Sequence, residues 1–272
     1  VTVLYVSNAG GDTVEIYDIS TPTAPVHLSD FNGGNLSQPN GMAITGTTLY
    51  VANAGNDTVE IYDISTPTAP VHLSDFNGVN LSIPRGLAIT GTTLYVANDG
   101  NNTVEIYDIS TPTSPVRLSD FNGGNLSTPR GLAITGTTLY VANFGNNTVE
   151  IYDITTPTAP VRLSDFNGGN LSGPTGLAIT GTTLYVANFG NNTVEIYDIT
   201  TPTAPVRLSD FNGGNLSVPA GLAITGTTLY VANFGNNTVE IYDITIPTAP
   251  VRLSDFGAGD LGSPFGLAIF TV

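Results

Sequence analysis

The segment Leu-Tyr-Val recurs at Leu4, Leu49, Leu94, Leu139, Leu184 and Leu229, always 45 residues apart. Six such periods account for all but two of the 272 residues. A repeat of this length is one supersecondary unit that cannot bury its apolar surface alone, so its copies must cover one another. Two architectures satisfy that demand: an open solenoid closed off by polar capping units, or a ring.

Each unit reads as four short strands. In the fourth unit, Gly131–Thr135 is followed by a turn at Gly136, then by Leu139–Asn143, a Phe144–Asn147 turn and Thr148–Ile154. The stretch Thr155–Pro160 leads into Val161–Phe166, and a Gly/Asn/Pro loop ends the unit. Val, Ile, Tyr and Thr fill the runs, and the 31 Gly and 18 Pro concentrate between them, the pattern of pleated strands separated by turns. With the strands called A to D in order, B reads Leu-Tyr-Val-Ala without polar alternation, as a strand covered on both faces does. Strand A, Gly-Leu-Ala-Ile, is small enough for a crowded axis. Strand D carries Arg, Ser and Asp, which suits an outer edge.

The chain begins in a B strand and ends in an A strand, Gly266-Leu267-Ala268-Ile269. One unit is therefore completed by three N-terminal strands and one C-terminal strand, and no polar caps flank the array. The expected fold is all-β: a single six-bladed β-propeller domain over residues 1–272, with four-stranded antiparallel blades and a 3+1 clasp. The absence of an initiator Met and the start inside Val3-Leu4-Tyr5-Val6 point to a processed or trimmed product.

Pro129-Arg130-Gly131-Leu132-Ala133, followed by Leu139-Tyr140-Val141-Ala142-Asn143 and Asn146-Asn147-Thr148, resembles the NHL and YVTN propeller repeats. Ile151-Tyr152-Asp153-Ile154, running into Pro157-Thr158-Ala159-Pro160-Val161, is similar to the LVIVD repeat. The resemblance covers all six units and implies a propeller. Propellers of these types include enzymes and interaction platforms, so it leaves function open.

The chain offers little catalytic chemistry. It has no Cys, no Lys and two histidines, His27 and His72, which occupy the strand D position held elsewhere by Arg117, Arg162, Arg207 and Arg252. A residue interchangeable with Arg on an outer edge reads as a solvated group paired with a strand C acid such as Glu150, and neither a serine triad nor a Cys/His zinc site can be built from it. Of the 22 acids, 18 belong to three positions repeated in every unit, the Glu15, Asp18 and Asp30 types. Six near-identical environments do not separate pKa values as acid/base catalysis requires. The run Asp165–Asn170 has oxygen atoms suited to calcium, but its spacing reads as an Asn-Gly turn. No cofactor is expected.

The formal net charge of −16 disfavours nucleic acid and anionic membranes and reads chiefly as a solubility device. No stretch approaches the length of an apolar membrane helix. Ten Asn-x-Ser/Thr matches follow from the Asn- and Thr-rich turns.

The units differ from one another at a few loop positions. Before the loop proline stand Gln38, Ile83, Thr128, Gly173, Val218 and Ser263; after it stand Asn40, Arg85, Arg130, Thr175, Ala220 and Phe265. The B–C loop opens with Ala9, Ala54, Asp99, Phe144, Phe189 or Phe234. In a meander the B–C and D–A loops emerge at one end, so all three positions share a face. Asn40, Arg85, Arg130, Thr175, Phe265, Asp99, Phe144, Phe189 and Phe234 are accordingly the candidate ligand-binding residues. The expected function is a non-enzymatic, monomeric scaffold binding a protein, peptide or glycan there. Two alternatives stay open: a purely structural repeat protein, naturally amplified or designed, and a metal-dependent propeller hydrolase or lactonase. Shared variants in neighbouring units, such as Ser20, Ser65 and Ser110 against Thr155, Thr200 and Thr245, favour successive tandem duplication.

Overall fold

Residues 2–77, 80–167 and 169–271 are described by a computed structural model. They form six four-stranded antiparallel sheets arranged as the blades of a propeller. Blade 1 combines Thr2–Asn8, Thr13–Asp18 and Val26–Phe31 with the C-terminal Pro264–Thr271. In the clasp Val3 lies opposite Phe270, Leu4 opposite Ile269, Tyr5 opposite Ala268 and Val6 opposite Leu267, with a register shift before Asn8 and Pro264 like that in the other blades. Ser7 replaces the Ala of the other blades here, and its hydroxyl accepts a 2.6 Å hydrogen bond from the Gly266 amide.

The apolar B strands explain why the blades cannot stand alone. Leu49 and Val51 face blade 1, joining Val3, Tyr5 and Val14; Tyr50 and Ala52 face blade 3, joining Leu94, Val96 and Tyr107. Each of the six core clusters straddles two blades. Burial on both faces of a strand thus requires two neighbours, and only a closed ring gives every blade two.

Three repeated contacts tie the joints. On the outside, Ser29 Oγ donates to the Thr68 carbonyl of the next blade at 2.9 Å, and the same bond recurs round to Ser254 and Thr23 at 3.2 Å. Under it, Phe31 packs on Tyr62 with ring centroids 4.7 Å apart, and Phe256 packs on Tyr17 at 4.6 Å. At the axis a glycine of each A strand lies against a carbonyl of the next. A Cβ on Gly131 would fall 1.9 Å from the Thr175 oxygen, and one on Gly266 would fall 2.1 Å from that of Asn40. No side chain fits there. In all three series the last blade meets the first as the others meet their neighbours.

Two features depart from the sequence reading. Strand A starts two residues early, at the proline: Pro129 sits opposite Asn143, with a register shift before Leu132. Proline is tolerated as the first residue of a strand, where its missing N–H breaks no ladder bond. The residues after the prolines are therefore rigid strand rather than loop. The strand C glutamates also do not belong to an acidic surface. Glu150 is 2% exposed; it accepts from Thr148 Oγ1 at 2.9 Å and Asn143 Nδ2 at 3.4 Å, and Arg162 Nε donates to it at 2.7 Å. Blades 1 and 2 use His27 and His72 on Glu15 and Glu60, both at 2.9 Å. The expected pairing holds, but the acid is inside, which is tolerable because its lone pairs are occupied.

Strand D is the open outer edge of each blade, with exposed Val and Leu. It carries a bulge: Tyr17 lies opposite His27 and Ile16 opposite Ser29, leaving Leu28 unpaired. A bulge bends and twists an edge and so hinders pairing with another sheet.

Candidate functional site

The face bearing the B–C and D–A loops is held by a repeated asparagine at the end of strand B. Asn143 Oδ1 accepts from the Ser127 amide at 2.6 Å, and its Nδ2 donates to the Asn125 carbonyl at 2.8 Å. The loop residue Asn147, in the left-handed region with φ 57°, accepts from the Gly173 amide of the following loop at 2.7 Å. Asx residues tolerate that conformation, which is why Asp or Asn fills the position in every blade.

The residue before each proline is also left-handed: Gln38, Ile83, Thr128, Gly173, Val218 and Ser263 have φ between 48° and 58°. At four of the six positions its carbonyl accepts from the first B–C residue, as Ile83 does from Asp99 at 3.2 Å and Gly173 from Phe189 at 3.3 Å. The three variable positions of a blade therefore form one local triplet on a common backbone frame.

Around the axis the triplets build a mouth with a polar arc and an aromatic arc. Arg85 donates from Nε to Asp99 Oδ2 at 3.1 Å and from an Nη to Asn40 Oδ1 at 3.0 Å. Arg130 approaches the same Asp99 oxygen only to 3.6 Å. Its guanidinium lies 3.5 Å over the Phe144 ring, a cation–π contact. From Phe144 the aromatic arc continues to Phe189 (5.8 Å between centroids), Phe234 (6.2 Å) and Phe265 (6.2 Å). Phe265 in turn lies 5.7 Å from the Arg85 guanidinium. Eight of the nine candidate residues are thus linked in one circuit.

Thr175 stands outside it. It is 1% exposed, and its hydroxyl donates within 3.1 to 3.3 Å of the carbonyls of Ala187, Pro219 and Ala220. It supports the floor and offers nothing to a ligand.

A cavity of about 320 Å³ opens where blades 1 and 2 carry small residues, bounded by Ala9, Gly10, Asn40, Arg85, Arg130, Phe234 and Phe265. Below it the axial space shrinks to about 70 Å³ between the glycine ring and the A-strand Leu and Met side chains. Gln38 and Ser263 also line the cavity; both stand at a variable position, before the proline, from which no candidate was drawn.

The electrostatics of the mouth are set by two guanidiniums against one carboxylate. Burial pushes the Arg130 pKa down to about 10, Arg85 adds repulsion, and Asp99 offsets part of it. Arg130 Nε is buried with no hydrogen-bond partner among the described residues. In the run considered for calcium, Asp165 pairs with Arg162, and Asn167 Oδ1 accepts from the Gly169 amide at 3.0 Å in an Asx turn. Gly168, within the run considered for calcium, lies outside the described residues. Among the described residues no group of three His, Asp or Glu side chains gathers as a metal site would.

The fold places the chain among the β-propeller repeat proteins. The LVIVD repeat matches residues 39–77 and 84–122, which are blades 2 and 3. A search of curated proteins gives no significant sequence match. Among solved structures the chain is similar to one of a nidogen/laminin complex, at 18% identity and a TM-score of 0.75, covering 99% of this chain and 98% of that one. It is also similar to a periplasmic gluconolactonase of Pseudomonas aeruginosa, at 15% identity and a TM-score of 0.71, covering 100% and 85%. A third is a computationally designed protein, at 21% identity and a TM-score of 0.58, covering 98% and 74%. A chain of the nidogen/laminin complex, a gluconolactonase and a design share this architecture, so the likeness is one of fold.

Proposed function

We propose that the chain is a non-enzymatic binding scaffold that takes a protein, peptide or glycan through the B–C/D–A face, at the channel mouth. One observation carries this reading. Nine of the eighteen residues at the three variable positions line one cavity, among them Arg85, Arg130, Phe189, Phe234 and Phe265, whereas the residues that build the frame repeat almost unchanged. The opposite face varies conservatively, as Ser20, Ser65 and Ser110 against Thr155, Thr200 and Thr245 do; on this face the exchanges run from Ala to Asp and Phe, and eight of the varied residues touch one another in a circuit. Rigid presentation of Arg and Phe around a hollow lowers the ordering cost of binding.

The gluconolactonase likeness favours a hydrolytic reading, but the mouth supports it poorly. Hydrolysis requires an activated water and a base free to take its proton. The acid at the mouth, Asp99, is 7% exposed and its carboxylate is taken up by Arg85 and approached by Arg130, so it is poorly placed to meet a water.

Peptide and glycan arrays probed with the wild type and with an Arg85→Ala/Arg130→Ala variant test the proposal. The expected result is a defined set of wild-type hits lost in the variant. Hits that persist in the folded variant would move binding elsewhere, and arrays without hits would favour a purely structural protein.

A further inference from the structure

Resting on that reading of the mouth, we infer that its ligand presents a carboxylate carried on an apolar or aromatic ring. The charge count at the cavity is unbalanced. Arg85 and Arg130 share a single acid, Asp99, and the sharing is unequal, at 3.1 Å for Arg85 and 3.6 Å for Arg130. Each of the other four arginines has two acids: Arg162, for instance, holds Glu150 and Asp165. In a chain of net charge −16 the mouth is thus, among the described residues, where the arginines outnumber the acids that contact them. Of the other acids on this face, Asp12 and Asp57 accept from the amides of Gln38 and Ile83 at 2.7 Å, and the residues that bound the cavity include no acid.

Arg130 is the under-satisfied member. Its plane is pinned over Phe144 at 3.5 Å, and its Nε lacks a partner. A guanidinium whose face is stacked recognises through its edge, and a planar carboxylate matches that edge with two parallel hydrogen bonds. Such a guest supplies the negative charge that Asp99 only half supplies.

The remaining walls fix what the carboxylate is attached to. Phe265 lies 5.7 Å from the Arg85 guanidinium and 6.2 Å from Phe234, so the aromatic arc begins beside the cationic pair. A ring bound edge-to-face against it places an attached carboxylate at the arginines. The volume, about 320 Å³, stands at the small end of the range of roughly 300–1,000 Å³ found for ligand sites. It suits one ring and its acid group, or the terminal residue of a longer chain such as an acidic sugar or a peptide ending in an aromatic residue.

Benzoate and its neutral isostere benzamide test the inference, followed by NMR of the arginine Nε–Hε signals. Benzoate is expected to saturate and shift the Arg85 and Arg130 signals, with benzamide about tenfold weaker or worse. Arg130→Gln should weaken benzoate by about tenfold or more while the unfolding midpoint stays in place, and Arg130→Lys should restore only part of the loss. If Arg130→Gln fails to fold, Arg85→Gln carries the same comparison. Equal binding of benzoate and benzamide, an unaffected Arg130→Gln, or no shift in the wild type would each overturn the anion assignment. In those cases array hits still lost in the double variant keep the mouth as a binding surface of other chemistry; silent arrays as well would remove both proposals.

Discussion

The frame and the mouth are made from the same backbone, repeated six times, yet the sequence treats them in opposite ways. In the frame, the axial glycines, the Ser–Thr belt, the Phe–Tyr contacts and the Asn–Thr–Glu network recur in every blade. At the mouth, three positions per blade are filled by residues as different as Ala9, Asp99 and Phe144. The difference follows from where each side chain points. Frame residues touch the same residue type of the next blade, so one substitution must be accepted by a neighbour that has not changed. Most mouth residues border a hollow, and only their immediate partners constrain them. Symmetry is thus obligatory where blades meet and optional where they end.

The comparison breaks most completely in alkali. All twelve tyrosines belong to the frame and are essentially buried. Burial pushes Tyr50, Tyr95, Tyr140, Tyr185 and Tyr230 up to about 12. The unfolded chain ionises near ~10, so stability is fully present below that pH and is lost as the pH rises from there towards 12. Tyrosinate absorbance and circular dichroism followed together should change in one cooperative step. Tyrosines that titrate gradually without unfolding would show the joints to be open to water.

Gly131→Ala is expected to have the next largest effect. The added carbon meets a backbone oxygen that cannot turn aside, and the cost is about 3 kcal/mol, at the top of the range for overpacking. Chemical denaturation measures it; a loss under about 1 kcal/mol would mean that the axis is looser than the ring requires. At the mouth the sign reverses. Val218 is β-branched with φ 56°, a conformation it resists and Asn accepts, so Val218→Asn should raise stability by about 0.5–1 kcal/mol. Destabilisation there would show that the mouth is as tightly specified as the frame.

The ring was legible in the sequence because a strand without polar alternation, repeated at equal spacing and split between the termini, admits few other arrangements. The buried glutamates were not, because a charged residue reads as surface until its partners are known. Glu150 is inside only because Thr148, Asn143 and Arg162 converge on it, and that convergence is a property of the sheet. The start of strand A was misplaced because Pro129 reads as punctuation. At the mouth, comparison of the units found the right positions, but chemistry alone could not say that Arg85 reaches Asn40 across a blade boundary. Nor could it show that the Thr175 hydroxyl turns down to the backbone.

The account rests on closure, and hydrogen exchange tests it most directly. If the C-terminal strand Pro264–Thr271 completes blade 1, its ladder amides should exchange as slowly as those of Pro129–Thr135, which has the same place in an uninterrupted blade. Amides in 264–271 that exchange at the rate of an unstructured terminus, while those of 129–135 stay protected, would contradict the ring.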